Sequence, residues 1–209
     1  MQSVSLNNIG FLQSTVPDNI FNILVSGAEI AKKDNCIAKN TLAGNIEESY
    51  NINLNDSDLF DVQNYLINIC SRYERQSELM RFERSVLFDS YELRLDRLWT
   101  NYQKKYEFNP LHDHTGVYSF VVWVKIPYNF RQEYKQNLCK NSNTKCAGAF
   151  AFYYTNVLGE MEEHLIELDQ TYEKQIIVFP SKLNHMVYPF YTSDDYRISI
   201  SGNLFLHVV

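Results

Sequence analysis

Several things are scarce in this 209-residue sequence, and each absence excludes something. Its four cysteines (Cys36, Cys70, Cys139, Cys146) contain no C-x-x-C pair. The thiols therefore read as reduced, in a soluble cytoplasmic protein, with a Cys139–Cys146 bridge across a loop as the lesser alternative. No basic run of five or more residues occurs, and the formal net charge is −6 from 19 basic and 25 acidic side chains. Unspecific grip on a phosphate backbone is not expected. No apolar run approaches the roughly 18 residues of a membrane helix, so no membrane partner is expected. The first ten residues lack the basic-then-apolar pattern of a signal peptide. There is no internal repeat, low-complexity tract or linker, and the length fits a single domain over 1–209.

What is abundant is aromatic: 14% of the chain, mostly 15 Tyr and 13 Phe, as suits a β core. The first part, 1–90, reads as helical and supporting. A helix is expected over 17–33, with Pro17 in its first turn, one face at Ile20, Leu24, Ala28 and Ala31, and Lys32-Lys33 at its carboxyl end. A short strand is expected over 50–54. Asp56 or Ser57 caps a second helix of about five turns with the stripe Leu59, Val62, Leu66, Ile69 and Tyr73. Residues 77–89 are ambiguous. From 91 onward the texture is that of strands, at 91–96, 117–127, 146–154, 164–169, 175–180 and 196–208. Close spacing with turn signals between them predicts an antiparallel sandwich or jelly roll over 91–209 covered by two helices.

Candidate chemistry centres on Asn109-Pro110-Leu111-His112-Asp113-His114. Alternate residues of a strand share a side, so His112 and His114 can present their rings to one metal ion. His185, after the Phe179-Pro180-Ser181 turn, is the candidate third ligand, and three histidines on one face leave other coordination positions open. Arg197 and Ser199 again stand at i, i+2, and a planar fork plus a hydroxyl suits a carboxylate. The bland alternative for Arg197 is a surface bridge to Asp194 or Asp195.

In their order and spacing, Trp99-x-Asn101, the His112-Asp113-His114 segment, Phe179-Pro180-Ser181 with His185, and Arg197-x-Ser199-x-Ser201-x-Asn203 resemble the iron(II)- and 2-oxoglutarate-dependent oxygenases. The similarity is closest to a phage-associated, uncharacterised branch, and covers 91–205 well. It implies a double-stranded β-helix, cupin-like in outline. It also implies Fe(II), 2-oxoglutarate and molecular oxygen, with cosubstrate decarboxylation coupled to oxidation of a substrate, most simply a hydroxylation. By the resemblance His112, His114 and His185 hold the metal, while Arg197 and Ser199, with Asn101, hold 2-oxoglutarate. His114 stands where these enzymes usually carry an acid. Asp113 is the alternative second ligand, although strand alternation turns it away from His112. A one-step shift, with His114 first and Gly116 in the acid slot, would match halide-binding members. Two rivals remain: a three-histidine cupin-type dioxygenase without cosubstrate, and a non-enzymatic phage jelly-roll protein with a structural metal. The substrate is left open among a protein side chain, a nucleobase and a small metabolite, and a phage-encoded chain would act in a bacterial host's cytoplasm.

Overall fold

The computed structural model describes residues 10–39, 42–77, 79 and 91–208. Two antiparallel sheets face each other. In chain order the elements are β1 (Leu12–Thr15), α1 (Asp18–Lys33), β2 (Glu48–Asn51), α2 (Asp56–Ser77), β3 (Tyr91–Gln103), β4 (Asn109–His112), β5 (Tyr118–Lys125), the one-turn α3 (Phe130–Glu133), β6 (Phe150–Thr155), β7 (Met161–Ile166), β8 (Gln175–Pro180), β9 (Asn184–Val187) and β10 (Arg197–Val208). The larger sheet runs β1-β8-β5-β10-β3-β2 and the smaller β4-β9-β6-β7. This is the architecture of a double-stranded β-helix, mainly β with helices on one side.

The period-2 alternation of strand β5 explains how one sheet serves two cores. Tyr118, Phe120 and Val122 turn outward to the helices, packing with Leu24 and Ala28 of α1 and Val62, Leu66, Ile69 and Tyr73 of α2. Val121 and Trp123 turn inward and meet Phe150, Phe152, Ile177 and Phe179 between the sheets. Helix α1 follows Pro17 and buries Ile20, Leu24, Ala28 and Ala31, as its spacing predicts. Helix α2 spans 22 residues, about six turns rather than five. Its first stripe residue, Leu59, stays 36% exposed, so the packed face starts at Val62.

Several strand limits differ from expectation. The early strand lies at Glu48–Asn51, because Ser49 and Tyr50 pair with Asn101 and Thr100 of β3. Strand β6 starts at Phe150, since 146–149 form a turn that brings Gly148 (φ 73°) under the Tyr128 ring. Strand β7 starts at Met161 instead of 164, drawn out by its hairpin with β6. Residues 129–145, between the strands expected over 117–127 and 146–154, contain α3. Most of the ambiguous segment 77–89 lies outside the described residues.

Candidate metal centre

Strands β4 and β9 are paired so that His112 stands directly opposite His185. Their rings lie 4.3 Å apart, centroid to centroid. His114 lies past the end of β4, in a bend, so strand alternation alone does not place it. Two backbone contacts do. Its N–H donates to the Ser181 carbonyl at 2.8 Å, and the Ser181 N–H donates to the Val117 carbonyl at 2.9 Å. The bend also needs Gly116, which sits at φ 98° with its missing Cβ only 2.8 Å from the Leu204 carbonyl oxygen. The His114 ring then lies 5.0 Å from that of His112 and 4.9 Å from that of His185. One nitrogen from each of the three falls within 4.8 Å of the others.

The second nitrogens explain why the rings point as they do. His112 Nδ1 donates to the Pro110 carbonyl at 2.7 Å, and His185 Nδ1 to the Leu183 carbonyl at 2.9 Å. A donating Nδ1 fixes the tautomer and leaves Nε2 as a lone-pair donor for a metal. Burial lowers the pKa of all three: His112 below its ordinary value, His185 well below it, and His114 to about 4, helped by the neighbouring His112. Neutral imidazole is the form that ligates. The surroundings are apolar: Phe150 stacks on His185 at 5.6 Å, Phe179 meets its ring at 4.9 Å, and Trp99 lies 5.7 Å from His114. On donor chemistry and spacing, the three histidines fit a transition metal in a facial arrangement.

Asp113 is elsewhere. It is exposed, with its carboxylate 3.5 Å from the Lys182 ammonium, outside the histidine cluster. Strand geometry through His112 turns it outward.

Arg197 and Ser199 face the same cavity as the histidines, a space of about 50 Å³ between the sheets, with Asn101 beside them. Register accounts for this: Ser199 pairs with Asn101 of β3, which in turn pairs with Ser49 of β2. The Ser49 hydroxyl donates to Asn101 Oδ1 at 2.7 Å. Arg197 is 2% exposed and makes no surface bridge; Asp194 and Asp195 pair with Lys105 and Lys125 instead. Its guanidinium has five N–H donors, and each has an acceptor in the protein. Nε and Nη2 donate to Gln103 Oε1 at 3.1 and 2.6 Å. Nη2 also reaches the Tyr188 carbonyl at 3.0 Å. Nη1 donates to the Gly148 carbonyl at 2.8 Å and to the Tyr128 hydroxyl at 2.5 Å. Burial pushes the Tyr128 phenol up, so it stays protonated and donates to the Gly148 carbonyl.

Sequence reasoning missed Gln103, Tyr128 and the buried Glu133. The Glu133 carboxylate accepts from the Tyr191 and Thr192 N–H groups at 2.7 and 3.0 Å, and so ties α3 to the segment entering β10. For Gln103 a signal existed, since it continues the Asn101 alternation by one step. For Tyr128 and Glu133 there was none. A further buried polar chain, in which Ser181 donates to Ser119 Oγ (2.9 Å) and Ser119 to Asn203 Oδ1 (2.8 Å), gives the Pro-Ser turn and Asn203 a role in holding the His114 support.

Known structures share this fold. The fold is similar to a prolyl-4-hydroxylase from Pseudomonas putida (TM-score 0.54, 12% identity, 93% of this chain and 91% of that one). It is also similar to the viral collagen prolyl hydroxylase of Paramecium bursaria Chlorella virus-1, solved as its 2OG complex (TM-score 0.52, 12% identity, 95% and 96%). A third is a prolyl hydroxylase from Trichoplax adhaerens in complex with a peptide fragment of the hypoxia inducible factor oxygen degradation domain (TM-score 0.51, 10% identity, 96% and 84%). The comparison with curated proteins gave no match. The family model described as "Putative 2OG-Fe(II) oxygenase" matches residues 97–203, just over half of the chain, and spans His112, His114, His185, Arg197, Ser199 and Asn101. With that match, the chain belongs to the 2OG-Fe(II) oxygenase family, an enzyme family whose cofactors are Fe(II) and 2-oxoglutarate.

Proposed function

We propose that the protein is a hydroxylase in which His112, His114 and His185 hold iron(II), while Arg197, Ser199 and Asn101 form the cosubstrate end of the same cavity. The observation that carries this reading is the histidine cluster itself: three neutral imidazoles, two with Nδ1 tied to a carbonyl, whose ligand atoms lie within 4.8 Å of one another. Bound iron(II) with 2-oxoglutarate and oxygen supplies the oxidising chemistry, releasing succinate and carbon dioxide. The chain's own residues do the rest. The carbonyls of Pro110 and Leu183 orient the ligand rings, and Phe150, Phe179 and Trp99 keep water from them. Arg197 contributes a fixed positive charge, while the Ser199 hydroxyl remains without a protein partner among the described residues and is free to donate.

The substrate class favoured is a protein or peptide side chain, ahead of a nucleobase or small metabolite. Three structural neighbours are prolyl hydroxylases, and Phe108, just before β4, and Leu111, on it, expose apolar surface (37% and 53%) near the metal ligands. The reading treats 1–209 as one domain with its catalytic core in 91–209. It also places the enzyme in a reducing cytoplasm, a bacterial host's for a phage-encoded chain, in keeping with four free cysteines.

One observation favours a second reading, a three-histidine dioxygenase that uses no cosubstrate: every N–H of Arg197 is already engaged. The two separate on one measurement. Anaerobic protein loaded with iron(II) is titrated with 2-oxoglutarate, then given oxygen. A visible charge-transfer band and slow uncoupled succinate are expected. Iron binding with neither signal would leave the cosubstrate-free enzyme.

A further inference from the structure

Across the cavity from the Asn101–Ser199 wall, strand β4 contributes Asn109. Its Oδ1 is buried with no hydrogen-bond partner, and among the described residues its amide nitrogen donates to nothing. The buried oxygen is an acceptor that an anion cannot satisfy; what the amide offers a ligand in the cavity is its unengaged Nδ2. The amide is held in place from outside. The segment 42–45 lies along β4, with the Asn45 N–H donating to the Phe108 carbonyl at 2.8 Å. At Gly44 an added Cβ would stand only 1.9 Å from Asn109 Oδ1, so the backbone there closes directly on the amide oxygen. With Oδ1 shut in against Gly44, the arm left for a ligand is Nδ2, a donor.

The rest of the lining says what a donor should meet. The cavity wall holds three neutral imidazoles and one guanidinium and, among the described residues, no aspartate or glutamate, so its one formal charge is positive. Such a space selects an anion. Asn109 stands three residues before His112 on the same strand, a distance of no more than about 10 Å. The level is right: Asn109 pairs with Val187, two residues along β9 from His185 and toward the carbonyl of Tyr188 that Arg197 reaches, and a register shift between Asn109 and His112 lets residues three apart on β4 share a face.

We infer that Asn109 is a further binding residue for the organic anion of this cavity, donating Nδ2–H to 2-oxoglutarate from the side opposite Asn101 and Ser199. This rests on the function proposed above. It assigns part of the grip to neutral donors, in a protein whose arginine has no N–H to spare.

The test uses the full chain, loaded with iron(II) under anaerobic conditions and titrated with 2-oxoglutarate through its charge-transfer band. Asn109→Ala is expected to weaken 2-oxoglutarate binding by about 3- to 10-fold, the loss of one hydrogen bond. Asn109→Asp should weaken it further, since it sets a carboxylate against a dianion. Iron affinity should stay unchanged in both. Gly44→Ala keeps Asn109 but crowds its amide, and should reproduce the loss if truncation at Asn109 disturbs folding. Wild-type protein that binds 2-oxoglutarate while Asn109→Ala, Asn109→Asp and Gly44→Ala bind it equally well overturns this inference alone. Wild-type protein that binds iron but no 2-oxoglutarate overturns it together with the proposed function.

Discussion

The two ends of one cavity are built on opposite plans. At the histidine end the His112 and His185 rings each commit Nδ1 and leave Nε2 over, and His114 is held by its backbone N–H, so on the proposed reading the site is completed by a metal. At the arginine end nothing is left over: five N–H groups meet Gln103, Tyr128 and two backbone carbonyls. The first arrangement costs little to fold and waits for a metal. The second is a closed, buried charged network that holds β3, β10 and the segments around Gly148 and Tyr188 together. Residues named as one functional set therefore divide into receivers and holders, and substitutions should separate them.

The largest effect is expected at the receiving end. His185→Ala should abolish iron binding, read by equilibrium dialysis, while leaving thermal stability near that of the metal-free wild type. A retained tight iron site would break the comparison. The reverse pattern is expected at Arg197. Arg197→Ala strands Gln103 Oε1, the Tyr128 hydroxyl and two carbonyls in a buried space, and should destabilise by on the order of 3–5 kcal/mol in urea unfolding. An Arg197→Ala protein as stable as wild type would show that the network does not hold the fold.

Acid sharpens the contrast next. Burial keeps His114 neutral down to about pH 4, and His112 and His185 shift the same way. An unfolded chain protonates its histidines near pH 6.5. Between these values the unfolded state binds more protons than the folded one, so stability is fully present above about pH 6.5 and falls as the pH drops toward 4. For His114 the loss approaches on the order of 3 kcal/mol. Metal-free protein should show this slope in melting temperature between pH 7 and 4.5, and His114→Gln should flatten part of it.

These two ends were not equally legible. Histidines carry their chemistry in their identity, and the order His112, His114, His185 was enough to name the cluster. Helices α1 and α2 were legible because each buries one face at the helical period. Strand β1 was not, because four residues with the burial pattern of an edge strand carry no apolar run to read. Arg197 was legible as an inward cation but not as a saturated one. Two of its acceptors are backbone carbonyls, which leave no trace in a sequence, and Gln103, Tyr128 and Gly148 lie 94, 69 and 49 residues away. His114 was assigned to the right side for an incomplete reason: a glycine turn and a bond to Ser181 place it, not the strand.

The smallest predicted effect bears on the choice between His114 and Asp113. Where related sites use a carboxylate, this chain offers one a single residue away, so proximity in sequence alone would favour Asp113. Its environment argues otherwise. The carboxylate faces solvent 3.5 Å from Lys182, a kind of pair worth about 0–1 kcal/mol. Turning it inward would carry a charge into the Phe150–Phe179–Trp99 surroundings and would have to displace His114 from its Ser181 bond. Asp113→Ala should therefore leave iron affinity within about 2-fold and stability within about 0.5 kcal/mol of wild type. A large loss of iron from Asp113→Ala, with His114→Ala silent, would exchange the two residues' roles and restore a carboxylate to the metal. The expected outcome instead leaves a three-imidazole centre carrying one more positive charge than a two-histidine, one-carboxylate site. That charge strengthens the pull on an anionic cosubstrate from the histidine end, while at the other end Arg197 gives none of its hydrogen bonds away.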